Sequence, residues 1–238
     1  MEKSDSSAQS AVYNALRNSI LFLKLKPGTL ISAKEIAEKL DVSRTPVREA
    51  FIRLQRDGLL DVYPQKGTVV SKIDFDKIEQ ERFVRESLEC ANVEKLIDKC
   101  TRSDFLALEQ NIEDQRATLK NCDYNALLKL DNDFHKYMFN VTGQSLSWQL
   151  IESNSNHYSR IRLISTWNND TMLENILQHQ KILSAIQEGK AEYAKNVISS
   201  HLHRLEIQKP QLMKDYPDYF ECPKEFSEKK FDELLGDL

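Results

Sequence analysis

The hydrophobic period of this chain changes in one place only, and that change constrains the fold more than any other feature. Before Gly58, apolar residues recur three and four positions apart, as on one face of a helix. The segment "LLDVYPQKGTVVSK" (59–72) is instead typical of two short strands around a turn. From Asp74 onward only helical patterns follow. The chain is therefore predicted to be mainly α, with one hairpin closing a small N-terminal helical unit.

Three helices are predicted before the hairpin. The second, "SAKEIAEKL" (32–40), opens with a capping box, and the third lies within "DVSRTPVREAFIRLQRDGLL" (41–60). Ser43 or Thr45 is expected to cap that third helix. Two helices joined by a tight turn and followed by a hairpin predict a winged helix-turn-helix.

Charge is distributed unevenly along the sequence. Residues 10–72 carry eleven Lys and Arg against six Asp and Glu, whereas residues 73–238 carry twenty-one against twenty-nine. A small basic domain joined to a larger acidic one is typical of proteins that bind a polyanion. No apolar run approaches the roughly 18 residues that span a bilayer, and the N-terminus lacks the apolar core of a signal peptide, so a cytoplasmic protein without a membrane partner is expected. The four cysteines are far apart, which argues against a zinc ribbon or a disulfide framework.

The third helix is rich in arginine, and binding to double-stranded DNA would explain this composition. In a helix-turn-helix the second helix of the motif lies in the major groove, where the arginine fork matches guanine O6 and N7. Arg44 and Arg48 share the face opposite the apolar stripe and are predicted to read bases. Lys34 and Lys66 are placed to meet phosphates or a minor groove.

Six helical patterns follow the hairpin and are separated by short polar breaks. They predict an antiparallel all-α bundle of six or seven helices. The expected division is a disordered N-terminus (1–9), a DNA-binding domain (10–73), a helical domain (74–209) and an extension (210–238). The predicted helices are 74–99, 103–120, 123–142, 145–166, 170–188 and 190–209.

The bundle also places polar residues at inward positions. Asp131 and His135 are four residues apart on an apolar face, and His179 and His201 each lie among aliphatic positions. Burying such groups costs free energy unless they are paired, and three helices carrying them could enclose one metal ion. Taken singly, each histidine also fits an ordinary core or surface residue, and His157 and His203 are interpreted in that way.

The N-terminal third closely resembles the DNA-binding domain of GntR-family bacterial transcription regulators. The segments that match are "LKPG", "VSRTPVREA", "DGL" and "KGTVV". The resemblance implies that Lys34, Arg44, Thr45 and Arg48 contact DNA. It also places Gly67 at the wing tip, in the minor groove.

Residues 76–205 resemble the FCD effector domain of the FadR subfamily, through "FVRESLE", "D…FH", "HQKILSAIQEG" and "SSHL". In metal-binding members, the residues corresponding to Asp131, His135, His179 and His201 are the ligands. Because all four positions are filled, the resemblance favours a metal-binding member over the acyl-CoA-binding type. Zn, Ni, Mn and Fe all fit this ligand set. Arg85, in "FVRESLE", occupies the position of an effector-binding arginine.

The expected function is that of a ligand-responsive transcription regulator, of the repressor type. It would bind a palindromic operator as a homodimer and sense a small organic acid at the metal. One alternative is a metal-dependent enzyme acting on a small carboxylic acid, because three histidines and one aspartate can activate water. A second alternative is a DNA-packing protein that binds without sequence preference.

Overall fold

The computed structural model describes residues 2–63, 67–167 and 169–221. Its N-terminal unit contains three helices and a three-stranded antiparallel sheet in the order β1-β3-β2. The predicted winged helix-turn-helix is therefore confirmed. The sequence analysis missed β1, because two residues are too few to show a period. The elements are α1 (Glu2–Leu21), β1 (Leu30–Ile31), α2 (Ala33–Leu40), α3 (Arg44–Arg56), β2 (Leu60–Tyr63) and β3 (Gly67–Val70).

Local chemistry explains where α2 and α3 begin. The Ser32 side chain accepts a hydrogen bond from the backbone N–H of Glu35, as the capping pattern predicts. Asp41 ends α2 in the left-handed conformation, with φ 52°. Ser43 occupies the N-cap position of α3 but makes no side-chain capping bond, and Thr45 lies inside the first turn. The expected side-chain cap of α3 is therefore absent.

The rest of the described chain forms a helical bundle, as predicted. Side-chain caps fix several starts: Asp74 accepts from the Asp76 amide at 2.9 Å, and Thr101 and Asp104 form a capping box. Among the described helices, none combines the length and the apolarity that a membrane span needs. The helices are α4 (Phe75–Lys99), α5 (Arg102–Lys120), α6 (Tyr124–Val141), α7 (Ser145–Ser153), α8 (Asn156–Ser165), α9 (Asn169–Gln187) and α10 (Ala191–Asp215).

Three element boundaries differ from the prediction by more than one residue. The segment 145–166 is two helices, because the chain breaks at Asn154 and Ser155 before α8 begins. Helix α1 begins at Glu2 and so includes residues that were expected to be disordered. Helix α10 continues through Pro210 to Asp215, beyond the predicted boundary of the bundle.

The described part of the C-terminal extension returns to the junction between the domains. The Ile73 amide donates to Tyr219 O at 2.8 Å, and Glu221 N donates to Ile73 O at 2.9 Å. Phe220 is buried and stacks on Phe75 with ring centroids 4.9 Å apart. After the end of α10, residues 219–221 of the extension thus form a packed strap over the segment that links the sheet to α4.

Helix α8 holds the two domains together at its N-terminal end. Asn156 Nδ2 donates to the Asp57 carbonyl at 2.8 Å, and His157 Nδ1 accepts from the Asp74 amide at 3.1 Å. Arg160 is fully buried and its Nη1 donates to the Ser71 carbonyl at 2.6 Å. Hydrogen bonds from this one helix thus reach the backbone of the winged-helix domain and its linker.

Candidate functional site

Four predicted ligands come together in the bundle core. Asp131 and His135 lie on α6, His179 on α9 and His201 on α10, and all four are buried. One potential ligand atom from each residue lies within 4.8 Å of the others. The structure therefore brings together residues far apart in sequence, in an arrangement that can hold one metal ion.

The histidines are oriented by oxygen atoms from neighbouring helices. An acceptor at Nδ1 keeps the proton on that nitrogen and leaves the Nε2 lone pair free for a metal. The Nε2 atoms of His135 and His179 are buried and make no hydrogen bond. This arrangement fits a bound cation. Gln115 Oε1 is hydrogen-bonded to Nδ1 of His179 and Gln178 Oε1 to Nδ1 of His201, both at 2.9 Å. Glu89 Oε2 lies 2.8 Å from Nδ1 of His135, but this contact lacks the geometry of a hydrogen bond.

Electrostatics keeps these groups in the protonation states that metal binding requires. Burial lowers the pKa of His179 to about 3 and also lowers the pKa of His201, so both imidazoles are neutral. Burial alone would raise the pKa of Asp131, but the charge of Arg162 lowers that pKa well below its ordinary value. Arg162 Nη2 forms an ion pair with Asp131 Oδ2, and its Nη1 donates to Asn132 at 2.8 Å.

A cavity of about 30 Å³, room for about one water molecule, lies beside the cluster. Asp131 and His201 contribute to its wall, so a molecule in the cavity would lie beside the metal position. The remaining wall is rich in hydrogen-bonding groups from α8, α9 and α10. These include Tyr158, Arg162, Ser165, Thr171, Arg204 and Gln208.

Arg85, the predicted effector-binding arginine, lies near the cluster but is not among the residues that line this cavity. It is buried, and its Nε donates to Glu89 Oε1 at 2.6 Å. Glu89 in turn lies beside His135, so Arg85 is linked to the ligand set through one carboxylate. It lines a neighbouring cavity, and Arg162 lines both.

The predicted DNA-contacting residues lie on the outer surface of the N-terminal domain. Arg44, Thr45 and Arg48 are exposed on α3, and Lys34 is exposed on α2. Gly67 opens β3 with φ 110°, and a Cβ there would lie 2.9 Å from Leu30 Cδ1. The left-handed backbone and this close approach give a structural reason for glycine. Lys66 lies outside the described residues.

The residues that support the ligands could not be identified from sequence spacing alone. Glu89 follows Arg85 by four positions, and this helical spacing was the signal for a buried pair on one face. Gln115 and Gln178 gave no comparable signal, since they meet the histidines only through helix packing. Arg162 lies in the segment "SRIRLIS" (159–165), whose sequence fits a solvated helix face equally well, but its side chain is only 11% exposed.

Family models match both domains of the chain. Residues 8–70 match the family described as bacterial regulatory proteins, gntR family. Residues 82–204 match the FCD domain. The two matches correspond to the winged helix-turn-helix and to the bundle that contains the four-residue cluster.

Individual proteins show the same similarity over most of their length. The HTH-type transcriptional repressor RspR of Escherichia coli is 31% identical over 210 residues, covering 88% of this chain and 92% of that protein. A transcriptional regulator structure from Rhodococcus has a TM-score of 0.72 at 22% identity, covering 88% of this chain and 99% of that one. The E. coli McbR/YncC structure has a TM-score of 0.71 at 21% identity, covering 88% and 98%. These two structures share the fold.

Proposed function

From the membership of this chain in the gntR family of bacterial regulatory proteins, with an FCD domain following the DNA-binding domain, we propose that it senses a small organic acid at a metal ion. It is a DNA-binding transcription regulator and not an enzyme. The observation that carries the proposal is the buried Asp131, His135, His179 and His201 cluster beside a polar cavity.

The proposed cofactor is a divalent transition metal. Three imidazoles and one carboxylate suit Zn, Ni, Mn and Fe, and this donor set does not select one of them. The buried His179, whose Nδ1 is held by the Gln115 side chain and whose Nε2 makes no hydrogen bond, supports metal binding through Nε2. The metal would supply a positive charge at the inner wall of the cavity, and coordination positions that four protein ligands leave open.

Arg162 is the proposed anchor for the effector's negative charge. In this structure it neutralises Asp131, and it also lines the cavity. A metal ion would take over the charge of Asp131 and leave the guanidinium free for a ligand carboxylate, which it binds bidentately. For Arg85 we propose an indirect role in this site, since it holds Glu89 and thereby the orientation of His135.

The proposed DNA-binding form is a homodimer that reads a palindrome and works in the bacterial cytoplasm, where its operator lies. Arg44 and Arg48 would read base edges, while Lys34, Thr45 and the wing with Lys66 and Gly67 would contact the backbone or minor groove. The most informative name among the relatives, a transcriptional repressor, supports repression as the mode of action.

Effector binding is tested by calorimetric titration of hydroxy-, keto- and dicarboxylic acids into metal-loaded and metal-stripped protein. At least one acid is expected to bind only the metal-loaded protein. Arg162→Gln should lower the affinity for that acid by about tenfold or more, because a charge-assisted hydrogen bond is lost. Lys136→Gln, which removes an exposed charge from the outer face of α6, should leave its affinity unchanged. An acid whose affinity is unchanged by both metal removal and Arg162→Gln would refute the proposed site.

A further inference from the structure

The strap of residues 219–221 holds both backbone polar groups of Ile73, in the linker (71–74) between the two domains. The Ile73 N–H donates to Tyr219 O at 2.8 Å, and the Ile73 carbonyl accepts from the Glu221 N–H at 2.9 Å. These bonds pair Ile73 with Phe220 in parallel, and the two residues are 0% and 2% exposed. Buried backbone groups in folded proteins almost always have a partner, so the strap satisfies a requirement of the linker.

Other elements hold the linker on either side of Ile73. Ser71 N donates to Leu59 O at 3.0 Å, inside the DNA-binding domain. Asp74 N donates to Nδ1 of His157 on α8 at 3.1 Å. The strap therefore supplies the middle of three anchor points, between one from the DNA-binding domain and one from α8.

A short structured connection joins the strap to α10. Tyr216 N donates to Leu212 O at 2.9 Å where α10 ends, and Tyr219 N donates to Tyr216 O at 3.0 Å. The Tyr216 ring also packs edge-on against Trp167, with ring centroids 5.2 Å apart. A displacement of the last turn of α10 would therefore move the strap and, through it, the linker.

We propose that the strap is a clamp that keeps the linker rigid and so fixes the DNA-binding domain relative to the bundle. Opening the clamp breaks the two backbone hydrogen bonds to Ile73 and the stack of Phe220 on Phe75, whose ring centroids are 4.9 Å apart. The helices of the bundle keep their packing, so the clamp opens as a local unit. With the clamp open, the DNA-binding domain gains a freedom of motion that DNA binding must remove again. The closed clamp favours DNA binding because it orders the domain in advance.

Hydrogen exchange and limited proteolysis of the full-length protein, without DNA, test the clamp. Phe220→Ala removes the stack and should open the strap. Exchange of the Ile73 amide and trypsin cleavage after Lys72, the preceding residue, should then both become about tenfold faster or more. Phe220→Leu keeps much of the buried apolar surface and should give intermediate rates. Tyr193→Ala removes an exposed aromatic ring from α10 and should keep the wild-type rates.

The exchange of amides in the middle of α5 and α6 shows, in the same samples, whether the bundle stays folded. Their rates should match wild type in all three variants. A wild-type exchange rate at Ile73 in Phe220→Ala would overturn the clamp. An equal increase in rate at Ile73 and throughout α5 and α6 would overturn it as well, because the opening would not be local.

Operator affinity, measured by fluorescence anisotropy, tests what the clamp does for DNA binding. Phe220→Ala should bind the operator about fivefold more weakly or more, since the backbone of at least one linker residue must be ordered on binding. Tyr193→Ala should bind like wild type. Unchanged affinity in Phe220→Ala, together with a mobile linker, would overturn the role in DNA binding. Neither measurement involves the proposed metal or effector, so a failure here leaves that proposal unaffected.

Discussion

Asp131 is a buried carboxylate that needs a positive partner, and Arg162 provides it in this structure. The two side chains are each 11% exposed, so solvent screens their interaction little. Arg162 also donates to Asn132, which fixes the guanidinium beside the carboxylate. A metal ion bound to Asp131 would neutralise the carboxylate in place of Arg162. Metal binding and the position of Arg162 are therefore coupled.

We therefore expect Arg162→Met to destabilise the metal-free protein by about 3–5 kcal/mol, because the Asp131 charge would be left unpaired. With Zn²⁺ bound, the loss of unfolding free energy should be clearly smaller, since the ion neutralises the charge of Asp131. Urea unfolding in chelator and in Zn²⁺ measures both values, and Arg162→Lys serves as the charge-conserving control. An equal loss of unfolding free energy in the two conditions would contradict the coupling.

The residues of the candidate site could be predicted only in part. Asp131 and His135 share a helical face by spacing, and His179 and His201 each lie among aliphatic positions. The family resemblance implied that the four form one ligand set, and the structure places them side by side. Gln115 of α5 supports His179 of α9, and Gln178 of α9 supports His201 of α10, so no local period marks either glutamine. Their role depends on the packing of α5, α9 and α10, which cannot be inferred from sequence spacing.

At the scale of elements, α8 connects the sensing cavity to the DNA-binding domain. Its C-terminal half contributes Arg162 and Ser165 to the cavity, while Asn156 and Arg160 bind the DNA-binding domain and its linker. Glu81 of α4 holds the start of α8 by accepting from the amides of His157 and Tyr158 at 2.9 and 2.7 Å. A shift of α8 on effector binding would therefore be transmitted directly to the interface.

Glu81 should make the free energy of unfolding depend on pH. Burial raises its pKa to about 7, although the two backbone N–H groups favour the charged form. A carboxyl whose pKa is raised by folding contributes stability that is fully present below its unfolded pKa and is lost as pH rises through the folded value. Glu81→Gln should therefore gain stability relative to wild type between about pH 5 and pH 8.

Urea unfolding at several pH values measures the effect of Glu81→Gln, with Glu109→Gln, an exposed carboxylate on α5, as the control. The control should keep the wild-type dependence on pH. If Glu81→Gln also follows the wild-type curve from pH 5 to 8, Glu81 does not titrate there.

Helix α3 should carry sequence recognition. Replacing Arg44 or Arg48 with Ala is expected to cost about 1–3 kcal/mol at the cognate operator if the contact is bidentate. Lys34→Ala should instead weaken binding to all sequences evenly and reduce the salt dependence. Fluorescence anisotropy on operator and random duplexes at several salt concentrations separates the two effects. Equal losses on both duplexes for Arg44→Ala would rule out base reading.

The hydrophobic period predicted the type of each element more reliably than the residues at which the element begins and ends. The helical period continues across 145–166, so it does not show the break at Asn154 and Ser155. The continuation of α10 through Pro210 was missed for a related reason, since proline usually ends a helix. Here Leu212 and the strap around Phe220 pack on the core and hold the last turns in place.

The whole molecule combines a basic DNA-binding domain with an acidic bundle, and we expect it to act as a two-fold dimer. A single α3 covers few base pairs, whereas a dimer reads two half-sites of a palindrome. Large apolar side chains exposed on α4 and α7 support an interface there, and Val84 and Leu150 line a common groove. Sedimentation should show a dimer, alone and on DNA. A monomer that binds a non-palindromic site with full affinity would contradict this expectation.

The central claim is that the bundle holds one metal ion through residues of three helices. Calorimetric titration of Zn²⁺ into chelator-treated protein tests it most directly. Wild type and His203→Ala, whose histidine lies outside the cluster, should each bind one ion per chain. His179→Ala and His201→Ala should lose stoichiometric binding, because each removes an imidazole ligand. Full wild-type stoichiometry and affinity in both of these variants would contradict the account.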